Sequence, residues 1–351
     1  MTLPLSQPPR FPVLIGDVGG TNARFEVIVD RFAEPRAFPI ARVSDFRTIE
    51  DAIEATVLDR TSDTPRSMIL AAAGPIDDDG LDLTNSHWFI RPAQMLERLN
   101  LEDVVLLNDF EAQAFALTAL QSDDYREVGG GVREEGRNAV VLGPGTGLGV
   151  AGLVHAAGTW VPVPGEGGHV DLGPRTMAEA RVFEHLERIG GRVSAEQVLC
   201  GRGIKNVYQA LEKAHGREGA LRNEECEPAA ISAAAMDGSD AMSVATMEFF
   251  CTQLGRVAGD LALTFLAYGG VYLGGGISRK IASFIERSQF RAAFEDKAPH
   301  DDLLREIGTA IVMHPLPALR GLAAFACTPD GYSLDMKGRR WSLARTDGRT
   351  A

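Results

Sequence analysis

Val13-Leu-Ile-Gly-Asp-Val-Gly-Gly-Thr-Asn-Ala-Arg-Phe-Glu-Val-Ile-Val29 is an apolar strand, a Gly/Thr/Asn turn and a second apolar strand. Val140-Val-Leu-Gly-Pro-Gly-Thr-Gly-Leu-Gly-Val-Ala-Gly-Leu-Val154 repeats the plan. Laid over one another without a gap, Val13 falls on Val140, Gly16 on Gly143, Gly20 on Gly147 and Val27 on Val154. Glycine permits positive φ and carries no Cβ, so backbone N–H groups can crowd round an anion. One Gly-rich hairpin is an ordinary turn. Two on one plan, facing each other, would clamp a polyphosphate.

The bulk figures set the frame. A chain of 351 residues is too long for one ordinary core and suggests two domains. With 45% hydrophobic and 24% charged residues it lies in the globular range. The net charge of −13 argues against a non-specific nucleic-acid binder, which needs a basic face. It also means that a polyphosphate ligand would need a local cation such as Mg²⁺. No apolar run is long enough to span a membrane, and residues 1–12 read as a loose arm without a signal-peptide core. Cys200, Cys226, Cys251 and Cys327 are widely spaced, which predicts reduced, mostly buried thiols and no zinc or disulfide framework. Together these features predict a cytoplasmic protein.

Strand and helix signals alternate along the chain, which predicts an α/β architecture. Helices are expected from Thr48 to Leu58, from Asn108, from Thr176 to Ile189, and from Ile204 towards Gly216. Two more are expected, from Met242 to Ala267 (closed by Gly269-Gly270) and over Arg279–Arg287. Ser67–Ala73, Val104–Leu107 and Val271–Leu273 read as buried strands. From Thr328 onward the chain turns polar and Gly-rich and is expected to be a loosely ordered tail.

Four places concentrate polar groups. Asn108-Asp-Phe-Glu-Ala-Gln113 follows a buried strand, and Asn108 with Glu111 forms a capping-box pattern. Asp109 is less well explained by capping, and the carboxyl end of a buried strand is where α/β sheets place ligands. In Val163-Pro-Gly-Glu-Gly-Gly-His-Val-Asp171 the glycines and proline stiffen a loop carrying Glu166 and His169, although an ordinary surface turn has the same composition. Ser194, Glu196 and Gln197 look like a helix start. Tyr272-Leu-Gly-Gly-Gly-Ile-Ser278 fits close approach to a flat or anionic ligand, or a plain tight turn.

In order and spacing, six segments resemble the bacterial glucokinase family, within the actin-like, hexokinase-type ATPase superfamily. They are Gly16–Arg24, Leu107–Ala112, Gly143–Gly149, Pro164–His169, Ser194–Glu196 and Gly274–Ile277, and the resemblance runs from Val13 to Ala326. It implies a two-domain actin-like/ribonuclease-H-like fold with a cleft between a small lobe, 13–119 plus about 317–327, and a large lobe, 120–316. It also implies ATP-dependent phosphorylation of glucose at its 6-hydroxyl, Mg²⁺ as cofactor and a homodimer. Asp109 matches the general base, while Asn108, Glu166, His169 and Glu196 match the residues that bind the other sugar hydroxyls. The turns bearing Gly16, Gly19, Gly20, Thr21 and Asn22, and Gly145, Thr146 and Gly147, match the phosphate loops. Asp17 matches the acid that orients the metal-bound nucleotide through water, and Gly274 and Gly275 the adenosine-side loop. Thr84-Asn85-Ser86-His87-Trp88 resembles a segment near the sugar. Cys200 stands where the family pattern has serine, and Leu273 where it has alanine.

Three alternatives stay open at this point. A kinase for another hexose, or for an N-acetylated one, uses the same clamp. The related kinases with a Cys-rich zinc motif are disfavoured, because Val-Asp-Leu-Gly follows His169. A sugar-sensing repressor on this fold needs a helix-turn-helix, and about a dozen residues precede the first strand. An actin-like filament protein would leave the hydroxyl-reading residues without a purpose.

Overall fold

The structure is a computed structural model and describes residues 8–77, 79–83, 86–216 and 227–343. It divides into two compact units. Unit 1 comprises residues 1–120, 156–162 and 315–351, and unit 2 residues 121–155 and 163–314.

The sheet of unit 1 runs in the order Arg340–Ser342, Asp103–Asn108, Ser67–Ala72, Val13–Val18, Asn22–Ile28, Arg36–Ala37, and Ala41–Arg42 also pairs with Asn22–Ile28. Val13–Val18, Ser67–Ala72 and Asp103–Asn108 are parallel to one another. Such strands are covered on both faces and so read as unbroken apolar runs. Every residue of Ser67–Ala72 is buried. Side chains alternate between the faces: Leu14, Met68, Leu70, Val104 and Leu106 join one core, and Val13, Ile15, Ile69, Val105 and Leu107 the other. On the second face, helix Pro317–Cys327 lies so close to helix Asp109–Ala116 that a Cβ on Gly321 would sit 1.9 Å from the Ala112 carbonyl oxygen.

In unit 2 the order is Tyr125–Glu127, Thr309–Val312, Val271–Leu273, Ala139–Pro144, Leu148–Ala156. Here too the three central strands are parallel and the edge strand Tyr125–Glu127 is antiparallel. One core holds this unit together, with the long helix Ala241–Phe265 through it.

Several expectations are corrected. The two hairpins do not superpose without a gap. Val13 pairs with Ile28 but Val140 with Gly152, so the second chain returns three residues sooner. Its ladder closes with Pro144 opposite Leu148, round Gly-Thr-Gly, whereas the first continues through Asp17–Arg24 to Val18–Ala23. The helix from Thr176 ends at Phe183, not Ile189. Side chains claim the backbone beyond it: Glu187 N–H donates to Asn206 Oδ1, and Gln197 Nε2 to the Glu187 carbonyl. Leu266, at φ 45°, ends the long helix before the glycines are reached. Arg279–Arg287 is divided between Gly275–Lys280 and Ala282–Arg287.

The tail differs most. Through Leu343 it is built into unit 1. Tyr332 is buried against Phe115 and Phe325, and Arg340–Ser342 pairs antiparallel with Asp103–Asn108. Residues 344–351, Thr84, Asn85, Cys226 and most of the N-terminal arm lie outside the described residues. Of the other thiols, Cys200 and Cys251 are buried, Cys327 is half-buried, and all three are free. Among the described residues, no helix is long and apolar enough to cross a membrane.

Candidate active site

In unit 1, the strand Asp103–Asn108 delivers the chain straight into helix Asp109–Ala116. Asn108 Oδ1 accepts from Phe110 N–H at 2.9 Å, and Asn108 N–H donates to Glu111 Oε2 at 2.9 Å. This is the capping box expected from the sequence. Asp109 is half-buried, and its Oδ1 also accepts from Phe110 N–H at 3.0 Å. The catalytic candidate thus sits on a turn whose backbone has little freedom. Glu111 is buried, and its second oxygen accepts from Arg339 Nη1 at 2.6 Å.

The first hairpin turn belongs to the same unit. Gly19 N–H donates to the Asn22 carbonyl, and the Thr21 carbonyl accepts from Val43 N–H at 2.9 Å. The Thr21 side chain is exposed at the tip. Gly16 lies deeper, in the strand. A Cβ there would meet Leu70 at 2.6 Å and Phe25 at 2.9 Å, which is a packing reason for glycine. Asp17 stands opposite Arg24 across the ladder. Burial raises its carboxyl above the ordinary value, and the Arg24 charge offsets this only in part. Nearby, Trp88 is buried with its Nε1–H on the Phe46 carbonyl, which His87 Nε2 also approaches.

In unit 2, Glu196 and the loop carrying Glu166 and His169 both meet one backbone position, Leu148. Glu196 Oε2 accepts from Leu148 N–H at 3.0 Å, and a Cβ on Gly147 would lie 2.5 Å from the same oxygen. A Cβ on Gly168 would lie 2.2 Å from the Leu148 carbonyl oxygen, so only glycine lets the Glu166–His169 loop rest on this strand. His169 Nε2 is 3.7 Å from Glu166 Oε2, and both side chains are exposed. Arg192 fixes the loop by donating to the His169 carbonyl and to Asp171, both at 2.6 Å.

The second phosphate-turn candidate is held from two sides. Gly145 N–H donates to the Gly147 carbonyl, and the Gly145 carbonyl accepts from Gly201 N–H at 2.9 Å. Thr146 is exposed at the tip, as Thr21 is in the first turn. Gly275 adopts φ +78°, where a Cβ would lie 2.5 Å from the Pro144 carbonyl oxygen, and Gly274 N–H donates to the Leu142 carbonyl. The adenosine-side candidate therefore packs directly on the hairpin. Cys200 Sγ takes the N-cap place of helix Gly201–Ala214, accepting from Gly203 N–H at 3.2 Å, and burial pushes its thiol up.

Sequence reasoning missed Arg192 and Arg339. Neither has a local pattern around it, but the tail carried a signal. Tyr332, Leu334 and Met336 alternate with polar residues, as a half-buried extended segment does, and all three pack on the core.

The Glucokinase family model matches residues 14–329. A glucokinase of Chelativorans sp. (strain BNC1) is 55% identical over 95% of this chain and 96% of its own. The crystal structure of a glucokinase from an Antarctic psychrotroph is 31% identical with a TM-score of 0.79, covering 91% of this chain and 99% of the other. A ROK-family glucokinase from Streptomyces griseus, solved with glucose and AMPPNP, has a TM-score of 0.60 at 21% identity, over 89% of this chain and 97% of the other. At that identity the likeness is one of fold, and the fold is the actin-like ATPase one.

Proposed function

The chain belongs to the glucokinase family, and from that premise we propose that it transfers the γ-phosphoryl group of ATP to the 6-hydroxyl of D-glucose. Asp109 carries the reading. It is a carboxylate on the first turn of a capped helix, at the carboxyl end of a buried parallel strand, with Asn108 beside it.

In this reading the 6-hydroxyl oxygen forms its bond to the γ-phosphorus as the bond to the bridging oxygen breaks, and the hydroxyl proton passes to Asp109. A carboxylate is too weak to deprotonate an alcohol beforehand. It suffices when the proton leaves late, as the bond forms through a loose transition state. With its Oδ1 occupied at the helix start, Asn108 offers its NH₂ to a neighbouring hydroxyl. Glu166, His169 and Glu196 serve the remaining hydroxyls, because a polyol leaving water must exchange its hydrogen bonds one for one. With the Gly19 and Gly145 amides engaged inside their turns, the remaining amides at Gly20 and Thr21 and at Thr146 and Gly147 take the phosphate oxygens, and Gly274 and Gly275 let the adenosine approach.

Mg²⁺ arriving with the nucleotide would neutralise charge on the β- and γ-phosphates. Asp17 suits an outer contact to it through water: its carboxyl is desolvated and held above its ordinary value, which a nearby cation would relieve. Among the described residues, no group of three His, Cys, Asp or Glu side chains could hold a metal by itself. The family premise also supports a homodimer working in the cytoplasm.

The test is ADP release across a hexose panel. We expect kcat/KM for glucose to exceed that for mannose, whose inverted 2-hydroxyl both clashes and leaves a protein group unpaired. Equal values would overturn glucose as the substrate.

A further inference from the structure

We propose that Arg339, in the tail beyond the residues that the family model matches, is a positioning residue for the catalytic turn and acts through Glu111. The proposal rests on the reading of Asn108 and Asp109 given above.

The tail lies as a strap along the edge of the sheet that ends in those two residues. Leu106 N–H donates to the Arg339 carbonyl at 2.9 Å. Arg340 and Ser342 each reach Asp103 Oδ1 at 2.7 Å, and Trp341 packs against the core. The strap is thereby fixed alongside Asp103–Leu106, and Arg339 points its guanidinium at Glu111.

Glu111 works with both oxygens. Oε1 accepts from Arg339 at 2.6 Å and Oε2 from Asn108 N–H at 2.9 Å, with its side chain 2% exposed. A carboxylate buried this deeply is costly without a cation, so its geometry depends on Arg339. Without that guanidinium, Glu111 relieves the cost by moving towards water, which loosens its hold on the Asn108 amide. The far half of the helix is secured differently, by Phe115 stacked on Phe325 and by Tyr332. Its first turn is held by charge, and that is the turn bearing Asp109. A cavity of about 400 Å³ lies here, and Asn108, Glu111 and Arg339 are among the residues that line it.

The full-length protein is compared with Arg339→Met, Arg339→Lys, Glu111→Gln and the double variant Glu111→Gln/Arg339→Met. ADP release gives kcat and the KM values for glucose and ATP, and melting gives stability. A small displacement of a reacting group costs up to about 100-fold in rate. We expect Arg339→Met to lower kcat/KM for glucose roughly 10- to 100-fold, leaving KM for ATP essentially unchanged. Arg339→Lys should restore most of the loss. Gln keeps the capping bond to Asn108 without a charge, so Arg339→Met should cost little more in the Glu111→Gln background. Wild-type kinetics in Arg339→Met, even with a lowered melting temperature, would overturn the proposal, as would an equal loss in both backgrounds. If Arg339→Met does not fold, the Lys variant and the double variant decide by the same criteria. Asp109→Asn is assayed alongside. Should it keep turnover, the catalytic reading fails by itself, and calorimetric glucose affinity of Arg339→Met still decides whether the strap positions Asn108.

Discussion

In each unit, a hairpin leads a sheet whose inner strands run parallel to its first strand, and an antiparallel strand closes the far edge. The turns are also anchored alike, each by one backbone N–H from outside: Val43 onto Thr21 and Gly201 onto Gly145, both at 2.9 Å. The carboxylates are not. In the first hairpin, Asp17 sits on the strand itself, opposite Arg24. In the second, the corresponding position is Pro144, and the acid at the turn is Glu196, brought in from another loop onto Leu148. The strands that share a place in the two sheets diverge in the same way. Asp103–Asn108 runs into a capped helix bearing Asp109, whereas Thr309–Val312 runs into Met313-His314-Pro315. The repeated architecture provides turns and strand ends. What each does is decided by single residues placed on it.

Asp109→Asn breaks that comparison most severely. It keeps the shape and the capping capacity of the turn while removing the proton acceptor, leaving unit 1 with no base at its strand end. We expect kcat to fall by on the order of 10²–10⁴, with glucose affinity changed far less. Turnover near wild type in a folded Asp109→Asn protein would remove the assigned mechanism.

Next in size is Glu166→Ala, which acts on unit 2 alone. Losing a charged hydrogen bond costs roughly 1.5–3 kcal/mol, about 10- to 150-fold. The loss should appear in KM for glucose with ATP binding intact. It should also narrow the preference for glucose over mannose, and unchanged ratios would show that this loop does not set specificity.

Much of this was legible in the sequence because it is local. Ser67–Ala72 and Asp103–Asn108 announce themselves as unbroken apolar runs, and Asn108 with Glu111 shows its capping box within four residues. The failures have two causes. The gapless overlay of the hairpins followed the glycines, and no glycine pattern reports where the ladder closes, so the shift of three residues went unseen. The other failures are long-range. Arg339 meets Glu111 across 228 positions and Glu196 meets Leu148 across 48, and neither member of either pair signals its partner. Read by charge alone, the tail concealed Tyr332 and Trp341, which pack against the cores of unit 1.

Paired alanine substitutions sharpen the contrast between the turns. A Cβ on Gly147 must displace the Glu196 carboxylate, only 2.5 Å away, whereas one on Gly19 meets nothing nearer than the Asn22 carbonyl oxygen at 3.4 Å. Gly147→Ala should therefore raise KM for glucose by about 10-fold, the value of one charged hydrogen bond. Gly19→Ala should leave stability within about 0.5 kcal/mol of wild type. Equal effects from the two would mean that Glu196 gives nothing to the second turn.

Asp17→Asn reads the other acid through pH. The Asp17 carboxyl titrates above its ordinary 3.8 in the fold, so the unfolded chain releases the proton at lower pH than the folded one. Stability contributed by the protonated group is then full below 3.8 and is lost as pH rises through the folded value. Asparagine cannot ionise and escapes that loss. Asp17→Asn should melt above wild type at pH 7, the gap closing as pH falls towards 3.8, while turnover drops. A gap that is constant with pH would show that Asp17 carries no such strain.

Cys200→Ser makes the smallest change and asks how far the anchoring of the second turn reaches. The thiol caps helix Gly201–Ala214, and the next residue's N–H holds the Gly145 carbonyl. Serine is the better N-cap, because its hydroxyl is the stronger acceptor for the Gly203 amide. The gain should be no more than about 1 kcal/mol, since the cap is already made and only its quality improves. A firmer helix start leaves the backbone path from Gly201 to Gly145 where it was, so KM for ATP should stay within about twofold, well under the factor of ten that 1.4 kcal/mol represents. A tenfold change in KM for ATP without a change in melting temperature would show that the cap governs the turn itself. The second turn would then differ from the first in its anchoring as well as in the source of its carboxylate.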